Sequence, residues 1–284
     1  TARVMGQPEA VDCLCERIAM LKAGLCDPKR PIGVFLFTGP TGTGKTELCR
    51  ALAEYLFGSE DRMLRLDMSE FQHPESIGRL LGDADEVHGR QALVHKIREQ
   101  PFAVVLLDEI EKAHPMVFDV FLQVFDEGRL TDRRGRVADF RHAIVIATSN
   151  LGVRALEGAG LGFGERRPDL QRALEEVFRR EFLNRIDRVV VFQSLDPATL
   201  REVLHKELDL VLQRRGLRQR PWAVEWDESA LQFLLDQGWS PTLGARPLRR
   251  AIERHVLAPL AAAIVGQHTP QGDQFLFVRS DGRA

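Results

Sequence analysis

The sequence is poor in cysteine, and its few cysteines are confined to one region. All of them lie in the first fifth of the 284 residues, and they are Cys13, Cys15, Cys26 and Cys49. They show no CxxC spacing and no nearby pair of histidines, a pattern that disfavours a zinc site. We therefore predict reduced and mostly buried thiols, as in a cytosolic protein.

Long hydrophobic runs and an excess of one charge are also absent. No uninterrupted apolar run is long enough to cross a bilayer, and no charged-then-apolar targeting segment opens the sequence. The formal net charge of −2 gives no overall attraction to nucleic acid or to anionic membranes. We predict a cytoplasmic protein with neither nucleic acid nor membrane as a partner. Because the sequence starts at Thr1 rather than Met, we also expect a fragment or a processed chain.

Short apolar runs that end in polar residues predict the strands of a sheet. These runs cover residues 33–37, 103–107 and 143–147. A glycine-rich turn and a predicted helix, 46–57, follow the first run. The second run ends in Asp108-Glu109, and the third ends in Thr148-Ser149-Asn150. Strands that alternate with helices indicate a parallel sheet covered on both faces, whose ligands gather at the carboxyl ends of the strands.

Helical patterns also occur before the first strand and after the last of these runs. Apolar positions at helical spacing predict a helix over 11–25, before Asp27-Pro28. Asp196-Pro197 predicts a helix that runs to about residue 215, and Asp227 predicts the start of another that ends at Gly238. A third helix is predicted over 245–264, and a strand over 274–278. We therefore predict a large α/β domain, 1–193, and a small, mainly helical domain, 194–284.

The glycine-rich turn matches the phosphate-binding pattern GxxxxGK[ST] in full. Its residues are Gly39, Pro40, Thr41, Gly42, Thr43, Gly44, Lys45 and Thr46. Backbone N–H groups of such a turn surround phosphate oxygens, aided by the dipole of the following helix. Lys45 should reach the β- and γ-phosphates of ATP, and the Thr46 hydroxyl should bind Mg²⁺. The alternative is a chance glycine turn, which the strand before it and the helix after it argue against.

Two adjacent acids and one amide are the candidates for the chemistry beside the phosphates. Asp108 has the position of a residue that holds the metal, and Glu109 that of one that orients or deprotonates water. The acids could otherwise form a solvated turn or a helix cap, but the neighbouring P-loop favours function. Asn150 could contact the γ-phosphate and the attacking water; its alternative is a turn before Gly152.

Two arginines are candidate charge stabilisers for phosphoryl transfer. Arg185 stands in FLNRID and Arg246 in GARPLRR. Taken alone, each arginine fits a surface or salt-bridging side chain better than a catalytic one, so charge by itself assigns neither.

The order of the motifs resembles that of the Clp family of AAA+ ATPases. The series is VMGQ, GPTGTGKTEL, LDMSEF, VVLLDEIEKAHP, GRLTDRRGR, DFRHAIVIATSNLG, FLNRID and GARPLRR. It covers nearly the whole chain and is most similar to the second ATPase module of ClpA, ClpB and ClpC. The resemblance implies a P-loop AAA+ three-layer α/β domain with a parallel sheet, followed by a small helical lid domain. It also implies assembly into hexameric rings that hydrolyse ATP to unfold or disaggregate protein substrates.

The resemblance gives each candidate residue a role. Lys45 and Thr46 correspond to Walker A, Asp108 and Glu109 to Walker B, Asn150 to sensor 1, Arg185 to the arginine finger and Arg246 to sensor 2. Val4 and Met5, with Gly6 and Gln7, correspond to the segment that contacts adenine. Because an arginine finger acts on ATP bound to the adjacent subunit, the resemblance implies that full activity requires assembly.

One loop departs from the family pattern. Translocating members carry an aromatic residue in this loop, which grips the threaded polypeptide. Residues 81–90 are short and acidic and contain no aromatic residue, and Val87-His88-Gly89 is the nearest remnant. Because an aromatic ring buries more apolar surface than carboxylates can, we expect weak grip or selection of basic segments. The alternatives are that another ring of the same polypeptide grips substrate, or that ATP only gates assembly.

Two further loops and one further function class stay open. The basic segment 128–136 is equally consistent with substrate contact and with a solvated hairpin or subunit contact. Leu161-Gly162-Phe163 resembles the tripeptide that docks a ClpP-type peptidase, but the short insertion favours an ordinary surface loop. Nucleic-acid translocation is a competing class, which the near-neutral charge disfavours.

Overall fold

The computed structural model describes residues 3–82, 92–151, 163–240, 243–266 and 274–280. The chain divides into two compact units. The first contains Thr1–Gly39 and Gly44–Phe192, and the second contains Pro40–Thr43 and Gln193–Ala284. The tip of the P-loop thus belongs with the second unit, and the predicted boundary between 193 and 194 stays a prediction.

The first unit is built on a five-stranded parallel sheet. Its strands are β1 (Gly33–Thr38), β2 (Met63–Asp67), β3 (Val104–Asp108), β6 (Ile144–Ser149) and β7 (Arg188–Val191), and their spatial order is β2-β3-β6-β1-β7. Every residue of β1 and β6 is buried, which explains their unbroken apolar sequences. The predicted parallel sheet is confirmed, with each of the three predicted strands extending one or two residues further toward its carboxyl end.

The register of the sheet aligns the carboxyl ends of the three central strands. Thr38 at the end of β1 lies opposite Ser149 at the end of β6, and Leu107 in β3 lies opposite Ala147. The turns that follow β1, β3 and β6 therefore leave the same edge of the sheet. The P-loop, the Asp108-Glu109 pair and Asn150 are brought to this edge by strand pairing alone.

Helices cover both faces of this sheet. One face packs against α1 (Pro8–Lys22) and α2 (Lys45–Phe57); the other packs against α3 (Ile77–Leu81), α4 (Leu93–Glu99), α5 (Pro115–Glu127), α6 (Phe163–Val177) and α7 (Arg180–Leu183). Within β1, Phe35 and Phe37 enter the first core while Val34 and Leu36 enter the second. This alternation follows from the two-residue repeat of a strand and confirms the three-layer fold. After α5 in the chain, β4 (Arg129–Thr131) and β5 (Val137–Asp139) form an antiparallel hairpin.

Helix α1 is displaced from its predicted position. It begins at Pro8 rather than residue 11, with a proline in the first turn, where the missing N–H costs no hydrogen bond. It ends at Lys22 rather than 25 because Gly24 adopts a φ of +69°, which a helix cannot continue. The apolar Leu25 suggested a longer helix, but its side chain is exposed.

The second unit is mainly helical, as predicted. Its elements are α8 (Pro197–Leu212), α9 (Arg215–Arg218), β8 (Trp222–Trp226), α10 (Glu228–Gly238), α11 (Leu248–Ile252), a π-helical turn (Glu253–Leu257), α12 (Ala258–Val265) and β9 (Gln274–Val278). The predicted cap of α8 is confirmed, since the Asp196 carboxylate accepts the Thr199 N–H at 2.7 Å. Asp227 caps α10 in the same way, accepting the Ser229 N–H at 2.9 Å. These hydrogen bonds lower the pKa of both aspartates.

Two parts of the second unit differ from the prediction. The third helix starts at Leu248 rather than at 245, and the π-helical turn divides it in two. The predicted strand, β9, pairs in parallel with β8, which the sequence patterns did not predict.

The cysteines are less uniformly buried than expected. Cys13 and Cys49 are buried, and burial raises the pKa of both thiols. Cys15 is exposed and Cys26 half-buried, so the expectation of mostly buried thiols is wrong for these two. In the part of the chain that the structure describes, no helix is long and apolar enough to cross a membrane.

Candidate functional site

Lys45 connects the P-loop to the end of the neighbouring strand β6. It is the first residue of α2 and is buried. Its Nζ donates to the Gly39 carbonyl oxygen at 2.5 Å and to Asn150 Oδ1 at 3.2 Å. Two residues predicted from separate motifs therefore meet at one point, where a phosphate could replace the Gly39 carbonyl as the partner of the ammonium.

The P-loop requires glycine at two positions because of its close contacts. Gly39 has a φ of +140°, and a Cβ there would lie 2.3 Å from the Phe192 carbonyl oxygen. Gly42 has a φ of +76°, and a Cβ there would lie 2.2 Å from the Leu243 carbonyl oxygen within the second unit. Neither position can accept a side chain without moving backbone. In the same loop, the Thr43 hydroxyl donates to the Pro40 carbonyl oxygen at 2.9 Å, and Thr41 is half-buried.

The predicted adenine-contacting segment lies against the P-loop. Val4 is buried, and its Cγ1 lies 3.6 Å from where a Cβ on Gly44 would be, while Met5 is half-buried. Arg3 fixes the segment to α2 and the turn after it, with ion pairs to Glu47 at 2.8 Å, to Glu54, and to Glu60 at 2.7 Å. The sequence pattern did not identify this anchor.

Asp108 and Thr46 are the predicted magnesium ligands, and both offer hard oxygen donors that suit this ion. Asp108 Oδ1 accepts the Thr148 hydroxyl at 2.5 Å, and its Oδ2 pairs with Arg65 at 2.6 Å. No group of three or more acids, histidines or cysteines that could hold a metal exists within the described ranges. The Thr46 hydroxyl and the Asp108 carboxylate fit Mg²⁺, which is often bound beside phosphates by only one or two protein side chains, and Arg65 pairs with one of the Asp108 oxygens.

Glu109 is held in an unusual backbone conformation. Its φ is +56°, in the left-handed region that non-glycine residues seldom adopt. Its N–H donates to the Thr148 hydroxyl at 3.1 Å, and its carboxylate pairs with Lys112. The carboxylate raises the pKa of Lys112 by hydrogen bonding and by charge. Strain of this kind concentrates at functional sites, where the surrounding structure imposes it.

Asn150 is held through both its side chain and its backbone. Its Oδ1 accepts from Lys45, while its N–H donates to Glu111 Oε1 at 3.1 Å. We refer to Lys45, Asp108, Glu109 and Asn150 as the edge cluster. Asp108, Glu109 and Asn150 lie at or directly after the carboxyl ends of β3 and β6, and Lys45 begins the helix that follows β1 and the P-loop.

Arg185 lies in a different set of contacts, which we call the Arg185 cluster and which contains Asp126, Glu181 and Arg185. Its guanidinium pairs with Asp126 at 2.7 Å and with Glu181 at 3.3 Å. Arg30 donates to the Arg185 carbonyl oxygen at 3.0 Å and so holds the backbone. Among the described residues, no hydrogen bond or ion pair joins the Arg185 side chain to the edge cluster. The structure does not bring this predicted residue to Lys45 in the same chain.

Arg246 is exposed in the second unit. Its N–H donates to the Leu243 carbonyl oxygen at 3.2 Å. Its side chain makes no hydrogen bond or ion pair within the described residues. Its backbone nitrogen would lie 3.1 Å from a Cβ on Gly42, so the turn of Arg246 lies against the tip of the P-loop in this unit.

The predicted loops are described only in part. His88 and the acidic loop around it lie outside the described residues, as do Leu161 and Gly162; Phe163 is the first residue of α6. The basic segment is a hairpin around Asp132, whose side chain is fully buried. This carboxylate accepts the N–H groups of Arg134 and Arg136 at 2.9 and 2.7 Å. These bonds lower its pKa although burial opposes the shift.

Four neighbours of the edge cluster were missed by sequence reasoning. They are Arg65, Glu111, Lys112 and Thr148. Thr148 and Glu111 stood inside motifs that the sequence analysis quoted, but their roles depend on which strands lie side by side. A charged residue within the β2 sequence MLRLD was the one available signal for Arg65.

Two family models match the chain. The model for the AAA domain of the Cdc48 subfamily matches residues 30–189. The model for the C-terminal, D2-small domain of ClpB protein matches residues 195–277. Together they follow the two-part order that the motifs predicted.

Curated relatives and solved structures agree with these matches. The chain is 42% identical over 99% of its length to the chaperone protein ClpB of Bdellovibrio bacteriovorus and 45% identical to that of Vibrio cholerae, in each case covering 33% of the relative. It thus spans about a third of the length of these relatives. It also resembles the S. cerevisiae Hsp104-ADP complex, with a TM-score of 0.89 and 32% identity over 99% of this chain and 49% of that one. The chain belongs to the AAA family, as an ATPase domain of the Cdc48 subfamily followed by a small domain of the ClpB type.

Proposed function

We propose that the chain is the ATP-hydrolysing module of a ring-forming chaperone that remodels proteins, as an unfoldase or disaggregase. The observation that carries the proposal is the edge cluster, in which residues from three strand ends meet within hydrogen-bonding distance. An ammonium, two carboxylates and an amide at the end of a parallel sheet are the groups that phosphoryl transfer to water requires.

Each residue of the edge cluster has a proposed step. Lys45 binds the β- and γ-phosphates, while Thr46 and Asp108 hold Mg²⁺, which neutralises phosphate charge when bound. Glu109 orients and deprotonates the attacking water, and Asn150 contacts the γ-phosphate. The hydrogen bond between Lys45 and Asn150 and the left-handed backbone of Glu109 support this arrangement, because the first brings the amide to the lysine and the second is typical of functional sites.

The two arginines are proposed to stabilise the charge that develops on the transferred phosphate. Arg185 would act on ATP bound to the adjacent subunit, as its separation from the edge cluster of its own chain suggests. Arg246 would act as sensor 2, and Val4 and Met5 would contact adenine. Assembly into a homo-oligomer, a hexameric ring, is part of this proposal because an arginine acting in trans requires a neighbour.

The substrate, the location and the domain limits are also proposals. A solved closed state of Hsp104 with ATPyS and FITC casein resembles this chain, with a TM-score of 0.83 and 34% identity over 93% of this chain and 46% of that one. We infer from this likeness that unfolded proteins are the substrates here. We also propose that the protein acts in the cytoplasm. The proposed domain limits are a large domain, 1–193, followed by a lid domain, 194–284.

A second candidate is a nucleotide-gated assembly module that threads little or no polypeptide. It is supported by the sequence of the acidic loop, 82–90, which contains no aromatic residue. Docking of a ClpP-type peptidase through Leu161-Gly162-Phe163 is a weaker proposal. A comparison of Phe163→Ala with the parent in a peptidase pull-down tests it.

The two candidates are separated by ATPase rates measured against protein concentration, with and without unfolded casein. The remodelling module predicts a specific activity that rises with concentration and rises again with casein. Glu109→Gln, measured in parallel, identifies any contaminating ATPase. A rate that rises with concentration but ignores casein favours the assembly module. A parent that is no faster than Glu109→Gln at any concentration contradicts ATP hydrolysis by this site.

A further inference from the structure

The pairing between strands β3 and β6 stops just before the residues of the edge cluster. Backbone pairing between β3 and β6 ends at Leu107 and Ala147. Asp108, Glu109 and Asn150 all lie beyond this point, so strand pairing does not fix their relative positions. Side chains take over this task between the two strand ends.

Thr148 supplies the first link across the gap. Its hydroxyl donates to Asp108 Oδ1 at 2.5 Å and accepts the Glu109 N–H at 3.1 Å. A single buried hydroxyl thus satisfies both adjacent acids, one through its side chain and the other through its backbone. This link fixes the turn of Glu109 but does not include Asn150.

Glu111 supplies the second link and reaches Asn150. It lies two residues after Glu109, in a 3₁₀ turn that begins at Ile110. Its Oε1 accepts the Asn150 N–H at 3.1 Å, and the same Asn150 accepts from Lys45 through Oδ1. The carboxylate therefore ties the segment that carries Glu109 to the segment that contacts the P-loop lysine.

The remaining oxygen of Glu111 makes this residue costly for the fold. Its Oε2 is buried and has no hydrogen-bond partner among the residues that the structure describes. A carboxylate oxygen that is buried without a hydrogen bond destabilises a protein. Unsatisfied buried groups of this kind call for a functional reason, and the position of Glu111 beside the edge cluster offers one.

We propose that Glu111 is a positioning residue for ATP hydrolysis. Its carboxylate holds the Asn150 backbone, which keeps the Asn150 amide at Lys45 and at a set distance from Glu109. The inference rests on the proposed function, since the amide is assigned there to the γ-phosphate. Glu111 itself touches neither phosphate nor water in this account and acts through Asn150.

Three substitutions separate geometry from charge. Glu111→Gln keeps an acceptor oxygen at the Asn150 N–H and removes the charge. Glu111→Asp keeps the charge but is one methylene too short to reach. Glu111→Ala removes both. Glu99→Ala is the matched control, because Glu99 is an exposed glutamate that pairs with His95.

Steady-state kinetics give the first measurement. Because small displacements of reacting groups can cost about 100-fold in rate, we expect kcat to fall about 10- to 100-fold in Glu111→Ala and Glu111→Asp. Glu111→Gln should retain kcat within about threefold, as expected where the hydrogen bond alone matters. KM for ATP should rise in Glu111→Ala and Glu111→Asp, because the contact of Asn150 with the γ-phosphate is lost, and should change little in Glu111→Gln. Equal losses in Glu111→Gln and Glu111→Ala would overturn the proposal, because they would indicate a role for the charge.

A binding cycle gives the second measurement and does not require turnover. The ratio of ADP to ATPγS dissociation constants reports contact with the γ-phosphate, so Glu111→Ala and Asn150→Ala should both bring it toward one. If Glu111 acts through Asn150, the double variant should be no worse than Asn150→Ala. Losses that multiply in the double variant would overturn the proposal.

Failure of the proposed function is distinguishable from failure of this inference. A parent chain without ATPase activity contradicts the function, whereas the binding cycle still tests the link between Glu111 and Asn150. Circular dichroism and thermal melts of all variants identify a variant that does not fold. If Glu111→Ala is such a variant, the contrast between Glu111→Gln and Glu111→Asp carries the test, and equal behaviour of these two overturns the proposal.

Discussion

The edge cluster and the Arg185 cluster are held in opposite ways. Lys45 and Asn150 of the edge cluster contact each other, and Thr148 and Glu111 link its remaining members between the ends of β3 and β6. Arg185 is instead paired with the exposed acids Asp126 and Glu181. The edge cluster is joined through the buried Lys45 and Thr148, whereas the Arg185 cluster consists of an arginine paired with exposed acids at the surface.

This difference indicates which defects a neighbouring chain can repair. A change in the edge cluster should disable the site of the chain that carries it. A change at Arg185 should disable a site on another chain, because its own edge cluster stays intact. The predictions below test this division, beginning with the largest expected effect.

Arg185→Ala should cause the largest loss of hydrolysis. An arginine finger contributes about 10³-fold or more to kcat, so we expect a loss of that order with the Kd for ATP within about threefold of the parent. Isothermal titration and steady-state ATPase assays measure the two quantities. Arg180→Ala is the matched control, since Arg180 is a more exposed arginine paired with Glu175. A large rise in Kd would place Arg185 at the site of its own chain.

Glu109→Gln should bind ATP and hydrolyse it poorly. Removal of a general base costs about 10²- to 10⁴-fold in rate, so single-turnover assays should show slow cleavage of bound ATP. The Asp108 hydrogen bonds do not involve the Glu109 carboxylate, so affinity should be retained. Rapid turnover by this variant would remove Glu109 from the mechanism.

Lys45→Ala should weaken binding rather than the chemical step alone. A hydrogen bond from a charged group contributes about 1.5–3 kcal/mol, so the Kd for ATP should rise roughly 10- to 100-fold. Lys45→Arg is the matched variant, which keeps the charge but is too large for a buried position. An unchanged affinity in Lys45→Ala would contradict the assignment of this lysine to phosphate.

Asp132 lies outside both clusters and should affect stability alone. Its lowered pKa means that the carboxylate stabilises the hairpin above the unfolded pKa of about 3.9, and this contribution is lost as pH falls through the folded pKa. Thermal melts of Asp132→Asn and the parent should therefore differ at pH 7 and converge progressively as the pH falls from about 4 through the folded pKa of Asp132. A difference that persists at low pH would show that the charge of Asp132 is irrelevant.

The central strands were predictable because burial leaves a plain signal. Strands β1, β3 and β6 are apolar on both faces, whereas β2, β7 and β8 carry charged residues such as Arg65, Arg188 and Glu225. Strands at or near a sheet edge can expose such residues, which removes the apolar run by which a strand is found. The hairpin β4–β5 consists of three-residue strands, too short for any periodicity.

The site residues that follow a strand in the sequence were predictable, whereas the contacts between residues of neighbouring strands were not. Lys45, Asp108 and Asn150 each follow a recognisable run, so a parallel sheet brings them together. The link from Glu111 to Asn150 joins residues 39 positions apart, and it depends on β3 and β6 being neighbours. Sequence order alone does not give that adjacency, because β4 and β5 lie between these strands in the chain.

The central claim is that Arg185 completes the edge cluster of another chain, and mixing two inactive variants tests it most directly. Glu109→Gln keeps an intact Arg185, and Arg185→Ala keeps an intact edge cluster. In mixed assemblies, the arginine of the first meets the edge cluster of the second, so ATPase activity should rise well above the sum of the separate variants. A mixture that equals this sum, after subunit exchange is confirmed, would contradict the account.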